Sequence, residues 1–112
     1  MSQSKNKLEE YIASRFKELY KYARPTKGSG SGGEAGDINQ PYFIIECKLR
    51  NTVNATINRN VWKKLIKEIP IGSKRLPLLI LENKFEERFV VIDFEDFFNI
   101  FKENINGQQE NK

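Results

Sequence analysis

Apolar residues recur along this chain in two periods, and the switches between them mark its elements. Leu8, Tyr11, Ile12, Phe16, Leu19 and Tyr20 fall three or four apart, which predicts an amphipathic helix over residues 5–22. At roughly 100° per residue, Glu9 lies at the border of that stripe and Glu10 almost opposite it. Arg24-Pro25 ends the helix, since the residue before a proline avoids helical backbone angles. The run Tyr42-Phe43-Ile44-Ile45 leading into Glu46-Cys47-Lys48 is short and β-prone, so 42–48 reads as a strand. Asn39-Gln40-Pro41 is a turn, which makes 36–39 and 42–48 a hairpin. Val61, Trp62, Leu65, Ile66 and Ile69 form the buried face of a helix over Asn58–Ile69, stopped by Pro70 and Gly72. Leu76–Leu81 is a second apolar strand, residues 82–87 a polar turn, and Arg88–Ile92 a strand pairing back. Asp93, with Asp96 three residues on, caps a last helix whose face is Phe94, Phe97, Phe98, Phe101 and Ile105, with Ile100 off that face. From Asn104 onward the chain is polar and reads as a frayed tail.

The helix between the hairpin and the next strand is a crossover, so the strands it joins are expected to be parallel. The fold class is therefore α/β, a small mixed sheet flanked by helices in the order α-β-β-α-β-β-α. A chain of 112 residues makes one domain, assigned to 1–104, with 105–112 as tail.

Charge changes this picture more than composition does. The net charge of +4 divides into +3 over residues 1–50, +5 over 51–75 and −4 over 76–112. Arg59, Lys63, Lys64 and Lys67 crowd the polar faces of the central helix, a ridge suited to a polyanion such as nucleic acid. The absence of histidine excludes Ser-His-Asp triads, Cys-His dyads and histidine metal sites. One cysteine permits no internal disulfide and no Cys/His zinc set. No apolar run is long enough to span a bilayer and no signal peptide is visible, so the expected location is intracellular, with no membrane partner.

The candidate chemistry lies in the stretch Gly36–Lys48. Side chains alternate along a strand, so Glu46 and Lys48 share one face while Phe43, Ile45 and Cys47 share the other. The hairpin brings Asp37 back beside Glu46. Two carboxylates and an ammonium then meet at one end of a sheet, an arrangement that suits a hard divalent cation. Five of the seven glycines stand at 28, 30, 32, 33 and 36, interleaved with Ser29 and Ser31. Such a segment reads as a flexible linker, or as a backbone that can approach a phosphate closely, with Arg24 and Lys27 at its entrance. It is no P-loop, because no Gly-Lys-Ser/Thr opens a helix after it. On the residues alone, Glu9 is either a helix-surface carboxylate or an acid reaching the site.

A helix bearing a glutamate, a Ser/Gly-rich loop, Gly36-Asp37, a short hairpin and Glu46-Cys47-Lys48 at a strand end together resemble the PD-(D/E)XK nuclease superfamily. The glycine loop and the small size are similar to its archaeal-type and phage Holliday junction resolvases. The likeness covers roughly residues 5 to 100. It implies a restriction-endonuclease-like fold, with Asp37, Glu46 and the Cys47 carbonyl as ligands of Mg²⁺, for which Mn²⁺ would substitute. It implies that Lys48 orients or deprotonates the attacking water, that Glu9 is the helix acid of the site, and that Ser29 or Ser31 approaches the scissile phosphate. Gly36 stands where many restriction-type members carry proline, which points to the resolvase branch.

The implied activity is Mg²⁺-dependent hydrolysis of DNA, cutting four-way junctions symmetrically as a homodimer, without a small-molecule cofactor. The expected setting is the cytoplasm or nucleoid of a prokaryotic or virus-infected cell. Arg24, Lys27, Arg50, Arg59, Lys63 and Lys64 would grip backbone phosphates. The alternatives are a nuclease of the same superfamily acting on flap, single-stranded or duplex DNA, and a non-catalytic nucleic-acid-binding member of the fold.

Overall fold

The architecture is a three-stranded mixed sheet with one helix on each face and a third helix beyond its edge. The computed structural model describes residues 5–27 and 34–110. The elements are α1 (Lys5–Phe16), β1 (Arg24–Pro25), β2 (Ile38–Asn39), β3 (Phe43–Leu49), α2 (Arg59–Lys67), β4 (Leu76–Glu82), β5 (Arg88–Val91) and α3 (Phe94–Glu110). β3 pairs parallel with β4, Phe43 opposite Leu76 and Glu46 opposite Leu79, as a crossover through α2 requires. β5 returns antiparallel, giving the order β3-β4-β5.

Alternation along β3 and β4 divides the core in two. Ile45, Cys47, Leu78 and Ile80 face α1, where Leu8, Ile12 and Ala13 cover them. Ile44, Leu79 and Leu81 face the other way and pack on Leu65 of α2. Both faces of β4, the central strand, are thus apolar, which is why it reads as one continuous hydrophobic run.

Several expectations give way. The first helix ends at Phe16, six residues early: Glu18 and Leu19 donate to carbonyls three residues back, and the chain turns toward β1. Leu19 is accordingly 70% exposed. The element order gains β1, because Arg24-Pro25 pairs antiparallel with β2 and takes the place expected for a hairpin partner. The chain does fold back after Gln40, yet β2 joins β3 only through isolated bonds. Ile66 lies on the flank of α2, exposed. Glu82 is the last residue of β4, fully buried, and the turn after it is organised by Asn83. The Asn83 side-chain oxygen accepts from the backbone N–H groups of Phe85 and Glu87 at 3.0 Å each, holding Glu86 at a φ of +62°. The last helix is capped as expected, Asp93 Oδ1 accepting from Glu95 and Asp96 at 3.0 and 3.2 Å. It continues through Glu110, beyond the expected onset of a tail, and its phenylalanine face stays exposed. The reason is topological: α1 and α2 already occupy the two faces of the sheet, and α3 leaves from its edge strand.

Candidate functional site

The site is built on the free edge of β3. Residues along a strand point their backbone groups alternately to its two edges. In β3 the odd residues face away from β4. The Phe43 N–H and C=O both meet the side-chain amide of Gln40, the Ile45 C=O accepts from the Asp37 N–H, and the Cys47 N–H donates to Asp37 Oδ2 at 2.8 Å. Asp37 therefore takes the place of a neighbouring strand at Cys47, one peptide unit from Glu46. Gln40 does the same at Phe43, and it is 1% exposed. The Cys47 carbonyl faces the same edge as its N–H.

The Glu46 and Lys48 side chains leave β3 on the face opposite Cys47, the face that α2 covers. Lys48 Nζ lies 3.1 Å from Glu46 Oε1, and both side chains are more than two-thirds shielded from solvent. Arg59, Lys63 and Lys64 project from the exposed surface of α2 on this side of the sheet. Arg50 follows two residues after Lys48; its Nε reaches the Thr56 carbonyl at 3.5 Å and its backbone N–H is held by the Glu82 carbonyl at 2.7 Å.

Gly36 sets the approach of Asp37. Its φ is +76°, and a Cβ there would stand 2.8 and 2.9 Å from the backbone O and N of Ile45. Proline, locked near −65°, has no access to this conformation. Gly72 has a similar φ of +84° but open space around it. Gly36→Ala is therefore expected to destabilise the fold by about 2–4 kcal/mol, against about 1 kcal/mol for Gly72→Ala. Equal losses in urea unfolding would show that the contact with Ile45 is immaterial.

Glu34, which sequence reasoning passed over, anchors the end of the glycine loop. Its carboxylate takes an Arg24 guanidinium N–H, the Lys27 backbone N–H at 2.9 Å and the Asn39 amide at 3.0 Å. These bonds, the one from Arg24 foremost, hold its pKa at about 2, below the ordinary 4.5. Arg24 also donates to the Pro25 carbonyl at 3.2 Å, so its guanidinium secures the loop base. The only sequence signal was a lone acid flanked by Arg24 and Lys27 in a Gly/Ser tract. Because the folded-state pKa is depressed, the stabilisation is complete above pH 4.5 and is lost as pH falls toward 2. The gap in Tm between wild type and Glu34→Gln should close over that window; a gap constant across it would assign the titration elsewhere.

The remaining expected residues are placed less centrally. Glu9 is half-buried on α1, beside Leu8, over the Ile45–Cys47 face of the sheet. Ser29 and Ser31 lie outside the described residues. Among the described residues, no group of three or more His, Cys, Asp or Glu side chains is arranged to hold a metal ion. Of the oxygen donors that the resemblance implies, Asp37 and the Cys47 carbonyl lie at the edge of β3, and the Glu46 carboxylate leaves on the adjoining face against Lys48. Two carboxylates and a carbonyl are the hard donor set that Mg²⁺ takes, with waters completing its shell. In donor chemistry the residues fit the ion.

Among the described residues, no helix is long and apolar enough to cross a membrane. Comparison of the chain with family models, curated proteins and solved structures finds no match.

Proposed function

We propose that this chain is a Mg²⁺-dependent endonuclease of the PD-(D/E)XK kind, with the restriction-endonuclease-like fold, that cuts four-way DNA junctions as a homodimer. The reading rests foremost on the bond from the Cys47 N–H to Asp37 Oδ2, which registers Asp37 against Glu46-Cys47-Lys48 across ten residues of chain. Acid and Glu-x-Lys are common separately. Asp37 on the edge of the strand that carries Glu46 and Lys48, with a basic helix over the face from which those two project, suits a phosphodiesterase site.

A divalent cation held by Asp37, Glu46 and the Cys47 carbonyl would supply Lewis-acid activation of water and of a phosphate oxygen. The protein's own groups do the positioning. Glu46 restrains Lys48 at 3.1 Å, so the ammonium is kept at the site, where its donors can hold a water or a phosphate oxygen. Asp37 is held by a backbone bond and so needs little reorganisation. Glu9, on the other side of the sheet, is left the role of a water-mediated partner. Arg59, Lys63 and Lys64, with Arg50 and Lys27, attract backbone phosphates, a contact that reads shape and carries no base information. Hydrolysis would leave 5′-phosphate and 3′-hydroxyl ends.

The test is cleavage of an immobile four-way junction beside linear duplex, flap and single strand, with Mg²⁺ or Mn²⁺. Paired symmetric nicks on the junction are expected. Equal cutting of all four substrates would keep the nuclease and remove the junction preference. No cutting of any would leave a non-catalytic DNA-binding domain.

A further inference from the structure

The C-terminal helix is the largest feature that the proposed site does not use. α3 runs for seventeen residues and packs on no helix or strand to an extent comparable with α1 or α2. A helix of this length gains most of its stability from burying an apolar face. Here that face is open: Phe94, Phe97, Phe98 and Phe101 are 67, 50, 46 and 50% exposed, stacked in pairs along the helix at 6.1 and 6.3 Å. Beside it, β5 is an edge strand whose Phe89 and Val90, on opposite faces of the sheet, are 45 and 60% exposed. An open apolar edge strand is a template for pairing and is normally covered. At about 200 Å² per phenylalanine, the four rings of α3 leave about 400 Å² open. With Ile100 at its flank, 41% exposed, that is more than half of the roughly 800 Å² that each partner contributes to a stable interface.

We propose that this face is covered by a second copy of the chain, α3 packing antiparallel on α3 about a two-fold axis. Charge selects the occupant. Residues 76–112 carry −4, which disfavours DNA and anionic lipid. Glu95 and Lys102 are seven residues apart, so they lie within about 20° of each other on one flank of the phenylalanine stripe. In an antiparallel two-fold pair, each flank faces the same flank of the partner. Glu95 of each copy then meets Lys102 of the other, and the axis falls near the middle of the stripe, between Phe98 and Phe101. The pairing is self-complementary in both apolar surface and charge, as an isologous interface demands. It names the surface for the dimer of the nuclease reading, but its support lies in α3 and β5 alone.

The experiment is the mass of the full chain by sedimentation without DNA, so its outcome is separate from that of the cleavage assay. The expected mass is twice 13.1 kDa. Phe98→Glu with Phe101→Glu should give a single-copy mass with unchanged circular dichroism, since neither ring supports the core. Glu95→Lys and Lys102→Glu should each weaken the dimer several-fold, and the two together should restore it. A wild-type chain that stays at single-copy mass at every concentration reached overturns the proposal. So does a dimer that survives the double Phe substitution, or a charge swap that fails to restore it.

Discussion

Asp37→Asn is expected to yield a folded protein that cuts DNA about 10³-fold more slowly, the equivalent of several kcal/mol of lost charge stabilisation. The substitution separates two tasks of one side chain. The amide that replaces the carboxylate keeps an oxygen that can accept the Cys47 N–H, so the 2.8 Å bond at the edge of β3 survives and stability changes by less than about 1 kcal/mol. Asp37→Ala removes that acceptor as well and is expected to cost about 1–3 kcal/mol, because the Cys47 N–H faces no neighbouring strand. Single-turnover cleavage with increasing Mg²⁺, alongside thermal unfolding, reads both effects. An Asp37→Asn protein cutting at the wild-type rate would remove Asp37 from the proposed metal site. One that unfolds would show that the edge bond depends on the charge.

Arg88→Ala is expected to destabilise the fold by about 3–5 kcal/mol, a large share of the roughly 5–15 kcal/mol that holds a typical domain together. Glu82 is 0% exposed, and its Oε2 takes the Arg88 Nε–H at 2.8 Å. Its Oε1 has no partner among the described residues. The pair is therefore only half satisfied, and loss of Arg88 would leave a buried carboxylate with no cation beside it. The guanidinium also lies 4.2 Å over the Tyr11 ring, tying β5 to α1. Replacing both partners with apolar residues, Glu82→Leu with Arg88→Met, should recover most of the loss, since an ion pair with one unbonded oxygen contributes little net stability. Urea unfolding of the single and double variants decides it. A single-variant loss below about 1 kcal/mol would mean that water reaches Glu82.

The same pair shows where reading residues in order stops. Glu82 follows Leu76–Leu81 and precedes Asn83-Lys84, so local composition assigns it to a polar turn. It is buried because β4 runs one residue further, to pair Glu82 with both Leu49 and Arg88. Gln40 misleads in the same way, being polar in a turn and yet buried against the edge of β3. Glu34 is another such case, since its partner Arg24 is ten residues away across the glycine loop. Glu82 and Glu34 are placed by partners far along the chain. The partners of Gln40, Tyr42 and Phe43, are only two and three residues on, and they become its burial site once β3 forms. The phenylalanine stripe of α3 errs in the opposite direction. Its periodicity is unmistakable, but periodicity says only that a face will be covered, and not whether the chain's own core or another molecule covers it.

What the sequence by itself determined is what depends on neighbours: the three helices, the apolar strands, the parallel pairing forced by a helical crossover, and the shared face of Glu46 and Lys48. Alternation and helical period are local geometry, and they survive whatever the rest of the chain does. Only the tertiary structure decided that Asp37 closes onto the Cys47 N–H, that β1 and not β3 is the ladder partner of β2, and that both sheet faces are filled before α3 begins. Those outcomes depend on which surfaces compete for the same space. That competition is resolved only when the whole chain is packed.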